Sequence, residues 1–139
     1  RAHALDMIKE LDIRCESPLQ HVGSLSGGNQ QKICVARALT QNPDVLLVSE
    51  PTRGIDVGAK RLILDLLFRL NEEHGMTVIM TSSELAELRS ICDRIVIICE
   101  GKVAGVLPPD ASDAEFGLMM SGAALKQGKI STEGGAAHG

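Results

Sequence analysis

The sequence has 139 residues, 44% of them hydrophobic and 23% charged, and this balance predicts one folded domain with a core of its own. The net charge of -4 gives no electrostatic reason to expect a nucleic-acid partner, because counterion release needs clustered lysine and arginine. Phe68 and Phe116 are the only aromatic residues, which excludes the stacking platforms that bind single strands.

The first part of the chain predicts two helices and a strand. Arg1–Arg14 has apolar residues at helical spacing and opens without a helix start signal. Gly27–Thr40 has the same period, and Asn42-Pro43 ends that helix. Asp44–Ser49 is a continuous apolar run, which is typical of a parallel strand that is buried on both faces.

The middle of the chain predicts a crossover between parallel strands. Val57–His74 returns to the helical period, and Gly75 follows where a glycine commonly ends a helix. Met76–Thr81 is the next apolar run of strand length. Together with Asp44–Ser49, these segments predict a strand-helix-strand unit.

The last strands predict a hairpin. A short helix over Ser83–Ile91 leads into a strand at Arg94–Cys99. Glu100-Gly101 then predicts a tight turn into a second strand, Lys102–Leu107.

The remaining residues predict a short extension and a tail. Pro108-Pro109 breaks the sheet, and Asp113–Met120 has the pattern of a last helix. Gly, Ala and Ser dominate afterwards, a composition that favours disorder. We therefore predict a body over residues 1–107, an extension over 108–122 and a disordered tail over 123–139.

Cysteine and histidine give no sign of a metal site. The four cysteines form no Cys-x-x-Cys pair, and the four histidines have no ligand spacing. We expect no metal bound by these residues, and we expect the cysteines to be buried thiols in a reducing compartment.

The segment LSGGNQQK places Ser26, Gly27 and Gly28 directly before a predicted helix. The unpaired N–H groups of a helix start favour phosphate, and glycine allows a close approach. An ordinary serine cap with flexible glycines is the alternative. The order of the next segments favours the phosphate site: an Arg-Ala-Leu helix, Asn-Pro-Asp, an apolar strand, Glu-Pro-Thr and Gly-Ile-Asp.

These motifs together resemble the C-terminal part of an ATP-binding cassette (ABC) ATPase. LSGGNQQK resembles the family signature, VLLVSEPT the Walker B strand and RGID the D-loop. The segments EPTRGIDVGAK and TSSELAEL are similar to segments in the second cassette of the double-cassette ATPases that drive sugar importers. The resemblance covers about Arg1 to Leu107. It implies an α/β fold, a partial P-loop NTPase core with a mostly parallel sheet, flanking helices and a C-terminal β-hairpin.

The glycine-rich P-loop of the family, G-x-x-x-x-G-K-[ST], is not found in these residues. In the family this loop lies upstream of the signature. The resemblance therefore implies that the front half of the cassette is missing from this chain.

Three residues near the predicted strand ends correspond to the hydrolytic positions of the family. Glu50 matches the catalytic base, with a solvated glutamate at the rim as the alternative. Ser49 stands where the family usually has the Asp that holds magnesium. Losing that charge about 4 Å from a cation costs on the order of 4 kcal/mol at an effective dielectric of 20. Ser83 stands at the switch-histidine position, although Ser82 and Ser83 also suit the cap of a helix.

The resemblance gives the signature a different role. In ABC dimers each signature faces the nucleotide of the opposite cassette, so it would act on the partner's ATP. Asp56 matches the D-loop aspartate that lies between the two sites, and it is an equally good N-cap for the helix from Val57. The signature residues assigned to the partner's nucleotide are Leu25, Ser26, Gly27, Gly28 and Gln30.

The resemblance thus implies a parent protein that hydrolyses ATP with Mg²⁺ to import a small solute, most simply a monosaccharide. Its implied partners are a second cassette, transmembrane permease subunits and a periplasmic solute-binding protein. The implied location is peripheral, on the cytoplasmic face of the inner membrane. We expect no nucleotide bound by this chain alone. The alternatives are a non-transport ABC ATPase and a non-catalytic dimerising or regulatory half-cassette.

Overall fold

The computed structural model describes residues 2–123, which contain both helices and strands. Most elements lie close to their predicted bounds. In chain order they are α1 (Ala2–Glu10), a 3-10 helix (Val22–Ser24), α2 (Gly27–Leu39), β1 (Val45–Ser49), α3 (Val57–Glu72), β2 (Thr77–Thr81), α4 (Leu85–Ile91), β3 (Ile95–Cys99), β4 (Lys102–Leu107) and α5 (Asp113–Met120).

The end of the first helix was predicted wrongly. Instead of continuing to Arg14, α1 ends at Glu10, and Asp12 has a φ of 48°. Aspartate tolerates this left-handed conformation better than most residues. The turn buries Leu11 and Ile13, which are 2% and 6% exposed. The free energy gained by burying these side chains outweighs what continuation of the helix would contribute.

The strand-helix-strand unit is confirmed. β1 pairs with β2 in parallel, from Val45 opposite Thr77 to Ser49 opposite Thr81. α3 connects the two strands and carries an apolar stripe that is fully buried, and Leu46 of β1 is buried as well. The stripe consists of Ile63, Leu66, Leu67 and Leu70. Each such side chain contributes about 1.5–3 kcal/mol on burial.

The other face of this sheet is open, so the prediction that the first strand is buried on both faces was wrong. Val45, Leu47 and Ile79 are 49%, 72% and 53% exposed. Val45 and Leu47 alternate with buried Leu46, as the period of a strand requires. The apolar run therefore reflects an apolar surface that the described residues leave uncovered.

This open face predicts self-association of the chain, because exposed apolar surface and sheet edges favour pairing between molecules. We expect light scattering to show dimers or larger species whose fraction grows with concentration. Leu47→Lys should reduce that fraction. Leu19→Lys is the matched control, because Leu19 is also 72% exposed and lies outside the sheet. A clean monomer over a wide concentration range would contradict the prediction.

The predicted hairpin is confirmed. β3 and β4 pair antiparallel, and the turn residues Glu100 and Gly101 have φ values of 52° and 72°. Positive φ at both positions is the type I′ geometry that matches the twist of a hairpin. A register shift lies between Ile97 and Ile98.

The helix α5 covers one face of this hairpin. Its start is fixed by a capping box, in which Ser112 and Glu115 each accept a backbone N–H of the other. Phe116 of α5 is 1% exposed. The Arg89 guanidinium lies 4.6 Å from the centre of its ring and also pairs with Asp113 at 2.8 Å.

The described residues form two compact units, one up to Glu87 and the other from Leu88 onward. The predicted boundaries at residues 107 and 122 stay predictions. The predicted tail, residues 123–139, lies outside the described residues except for Ala123. Within residues 2–123, every helix is too short or too polar to span a bilayer.

Candidate functional site

The carboxyl ends of β1 and β2 bring the three predicted hydrolytic positions together. The Glu50 N–H donates to the Thr81 carbonyl at 2.9 Å, which extends the parallel pairing by one residue. The Thr81 hydroxyl donates to the Ser49 hydroxyl at 3.0 Å, and the Ser83 hydroxyl donates to Glu50 Oε2 at 3.3 Å. Ser49, Glu50 and Ser83 therefore share one edge of the sheet, which we call the strand-end edge.

Glu50 has an uncommon backbone conformation. Its φ is 46°, a left-handed value that Asn, Asp and Gly adopt far more readily than Glu. Residues held in such conformations are concentrated at functional sites, where the surrounding structure enforces them. The catalytic role of Glu50 stays a prediction.

The strand-end edge is a poor match for magnesium. Mg²⁺ in phosphate-transfer sites is held by carboxylates together with phosphate oxygens and water. Here Glu50 supplies a carboxylate, whereas Ser49 supplies a neutral hydroxyl that is already bonded to Thr81. No cluster of three or more His, Cys, Asp or Glu suited to a metal occurs among residues 2–123. These residues do not fit a tightly bound magnesium ion.

The serine cap, which was the alternative interpretation of the start of α2, is present. Ser26 has extended backbone angles, and its Oγ accepts from the Asn29 N–H at 3.4 Å and from Asn29 Nδ2 at 2.9 Å. Gln30 Nε2 donates to the carbonyl of buried Leu25 at 2.9 Å. Ser26 and Gly27 are exposed, so the start of this 13-residue helix is accessible. Phosphate binding there stays a prediction.

The two signature glycines lie in close packing contacts. A Cβ on Gly28 would lie 2.9 Å from Ala59 Cβ, and a Cβ on Gly27 would lie 3.0 Å from Ile55 Cγ2. Gly28 is buried and faces the first turn of α3, which contains Ala59. The close approach of phosphate explained these glycines from the sequence, and the contact with Ala59 is a second, structural reason for glycine at position 28.

Replacing Gly28 by alanine is expected to destabilise the chain by about 1–3 kcal/mol, because the added Cβ overlaps Ala59 Cβ. Adding Ala59→Gly should recover part of this loss, less about 1 kcal/mol for glycine inside a helix. Urea unfolding measures both variants. Gly23→Ala is the control, since its Cβ would meet nothing within 4 Å. A double variant no more stable than Gly28→Ala would count against the proposed contact.

Asp56 is the N-cap of α3. Its Oδ1 accepts from the Ala59 N–H at 2.9 Å, so the capping interpretation is confirmed. A carboxylate at a helix start also interacts favourably with the helix dipole. The second predicted role, coupling between two nucleotide sites, stays a prediction.

A buried polar group that the sequence reasoning missed lies behind the strand-end edge; we call it the Glu87 cluster. It consists of Thr52, Lys60, Ser82 and Glu87. Glu87 is 6% exposed and Thr52 is 2% exposed. The Thr52 hydroxyl lies 2.8 and 2.7 Å from the two carboxylate oxygens, Ser82 donates at 2.9 Å, and Lys60 Nζ lies 3.1 Å from Oε1.

The Glu87 cluster favours an ionised carboxylate. Burial raises the pKa of Glu87, but hydrogen bonds from Thr52, Ser82 and Lys60 outweigh burial and leave that pKa below its usual range. The pKa of Lys60 is raised, first by its hydrogen bond to Glu84 and then by Glu87. A sequence signal existed in the two glutamates of TSSELAEL, but helical spacing gave no reason to expect one of them inside.

Comparison with known proteins identifies the family. The profile described as ABC transporter matches residues 1–53. The ribose import ATP-binding protein of Bacillus cereus is 49% identical over 110 residues, which are 79% of this chain and 22% of the relative. The chain is part of an ABC transporter ATP-binding cassette.

Further comparisons agree on the cassette. The galactose/methyl galactoside import ATP-binding protein of Treponema pallidum is 44% identical over 82% of this chain and 23% of the relative. A dimeric, post-hydrolysis ATP-binding cassette bound to ADP and phosphate is 31% identical, with a TM-score of 0.68, over 80% of this chain and 47% of that one. The predicted α/β cassette fold is thereby confirmed. The chain spans less than a quarter of the length of these two curated relatives.

Proposed function

We propose that the chain belongs to a subunit that couples ATP binding and hydrolysis to import of a small solute, most simply a monosaccharide. The relatives named for ribose and galactose import support the solute class. The segment EPTRGIDVGAK, which resembles the second cassette of double-cassette ATPases, supports a double-cassette parent. The observation that carries the mechanism is the contrast between the accessible, capped start of α2 and the poorly equipped strand-end edge.

In this mechanism the signature serves a nucleotide held by the opposite cassette. Ser26 Oγ accepts two hydrogen bonds from Asn29, and its own O–H proton is available for a phosphate oxygen. The first N–H groups of α2 add the partial positive charge of a helix start. The signature end would therefore stabilise negative charge on the partner's phosphate.

The nucleotide facing the strand-end edge would be hydrolysed poorly. Glu50 is placed to polarise a water, but Ser49 brings no charge to a metal ion and Ser83 brings none to phosphate. One competent site would then use this chain's signature, and one weak site would use its strand ends. ATP and Mg²⁺ are cofactors of the parent protein in this proposal.

The proposed partners follow from the same cassette. They are a second cassette, permease subunits in the membrane and a periplasmic solute-binding protein, with the parent lying on the cytoplasmic face. The dimeric relative bound to ADP and phosphate supports the pairing of cassettes. A non-catalytic regulatory half-cassette is the second candidate, and the neutral side chains of Ser49 and Ser83 favour it, because neither brings charge to a metal ion or to phosphate.

Two measurements on the complete protein test the function. We expect steady-state ATP hydrolysis by the purified protein and loss of growth on ribose, xylose or galactose when its gene is deleted. Growth on all three sugars without the gene would contradict the proposed solute class. An inactive protein that still pairs with a second cassette would favour the regulatory candidate.

The isolated chain is expected to bind MgATP weakly and to hydrolyse it no faster than background. No P-loop occurs in its sequence, and the strand-end edge does not suit magnesium. Calorimetric titration of the chain with MgATP measures this directly, with MgADP as the comparison ligand. A micromolar Kd would contradict the prediction.

A further inference from the structure

Two sets of contacts end on the same helical turn of α3. Gly28, at the start of α2, packs so closely on Ala59 that an added Cβ would lie 2.9 Å from Ala59 Cβ. Lys60 is the next residue, and its Nζ lies 3.1 Å from Glu87 Oε1. Asp56 caps this turn through the Ala59 N–H. The turn is therefore in contact with the signature end and with the Glu87 cluster.

The Glu87 cluster in turn binds the loop that follows β1 and the loop that follows β2. Thr52 lies two residues after Glu50, and Ser82 directly precedes Ser83. Both hydroxyls are within 3 Å of the Glu87 carboxylate. Because this carboxylate is buried, its removal would leave polar partners unsatisfied in a site of low dielectric.

We infer that Glu87 is a positioning residue that fixes the strand-end edge, through Thr52, Ser82 and Lys60, to the turn of α3 on which the signature end packs. A displacement of Glu50 or Ser83 is then passed to the start of α2 through packed and hydrogen-bonded groups. The consequence for turnover rests on the proposed function, because it requires that Ser26 act on a nucleotide.

Amide hydrogen exchange in the full chain, without nucleotide, tests the inference. Glu87→Gln keeps the side-chain shape and removes the charge. We expect exchange about 10-fold faster at the Glu84 amide and also at the Asn29 and Gln30 amides, more than 50 positions away in sequence. Glu84→Gln is the control, because Glu84 also pairs with Lys60 but is exposed and lies outside the cluster. It should leave the Asn29 rate unchanged.

A pair of changes at Thr52 separates positioning from packing. Thr52→Ser keeps the hydroxyl and loses a methyl group, whereas Thr52→Val keeps the shape and loses the hydroxyl. We expect Ser to retain the slow exchange of Asn29 and Val to lose it. The opposite order would show that only packing matters and would overturn the inference. This pair also decides the matter should Glu87→Gln fail to fold.

The other outcomes are equally decisive. Faster exchange at Glu84 alone would overturn the connection to α2, and unchanged exchange at both places would overturn the role of Glu87. In the complete protein, Glu87→Gln should lower kcat several-fold with KM for MgATP near its wild-type value. Absence of ATP hydrolysis in the wild type would refute the proposed function and leave the exchange result standing.

Discussion

Replacing Ser26 by arginine is expected to lower ATP turnover of the complete protein by about 10²- to 10³-fold, the loss typical of one preorganised donor. The change removes the hydroxyl that caps α2 and places a bulky side chain at the accessible helix start. Steady-state ATPase activity at saturating MgATP measures the effect, with folding checked by circular dichroism. Ser24→Arg is a matched control, because Ser24 is exposed and lies outside the signature.

The contrasting variant is Glu50→Gln, which should cost less than Ser26→Arg. In the proposed mechanism Glu50 would act only on the nucleotide of its own edge, where Ser49 and Ser83 would already limit hydrolysis. Suppose that Glu50→Gln abolishes ATP turnover while Ser26→Arg leaves it near normal. The nucleotide facing this chain's strand-end edge would then be the one that is hydrolysed. Our interpretation of Ser49 would then be wrong.

Replacing Phe116 by alanine is expected to destabilise the unit formed by the hairpin and α5 by about 3–5 kcal/mol, the usual cost of truncating a buried ring. Phe116 is 1% exposed and supports Arg89 through a cation-π contact at 4.6 Å. The loss should appear as faster amide exchange throughout β3 and β4. Urea unfolding followed by circular dichroism gives a second measurement.

Phe68→Ala is the matched control for this experiment. Phe68 is the other aromatic residue of the chain, and it is 47% exposed on α3. Its truncation should change stability by about 0.5 kcal/mol or less, as surface substitutions usually do. Equal losses for the two variants would show that the packing of Phe116 on the hairpin contributes little.

Local features of the fold were predictable because short-range signals determine them. Residues only a few positions apart determine the Glu100-Gly101 turn, the caps at Ser26 and Asp56, and the apolar stripe of α3. The end of α1 was not predictable in this way. Its position depends on the burial of Leu11 and Ile13, which is a property of the folded chain.

The candidate site was predictable only as a set of sequence motifs. Parallel pairing of β1 and β2 brings Glu50 and Ser83, which are distant in sequence, close together, so that Ser83 Oγ lies 3.3 Å from Glu50 Oε2. The Glu87 cluster was missed because a glutamate on a short helix is normally exposed, and its burial requires partners from three other segments. The fit of Gly28 on Ala59 likewise arises only after α2 and α3 have packed.

The left-handed backbone at Glu50 sets local stability against retention of its carboxylate. Glycine adopts such a φ without a steric penalty, and asparagine adopts it at less cost than glutamate, so either replacement would relieve about 1 kcal/mol of strain while removing the carboxylate. Laboratory selection for heat resistance alone would therefore reward variants that have lost this group. A thermostable cassette for engineering should be selected for heat resistance and for an intact Glu50 together, because thermal screening by itself favours loss of this carboxylate.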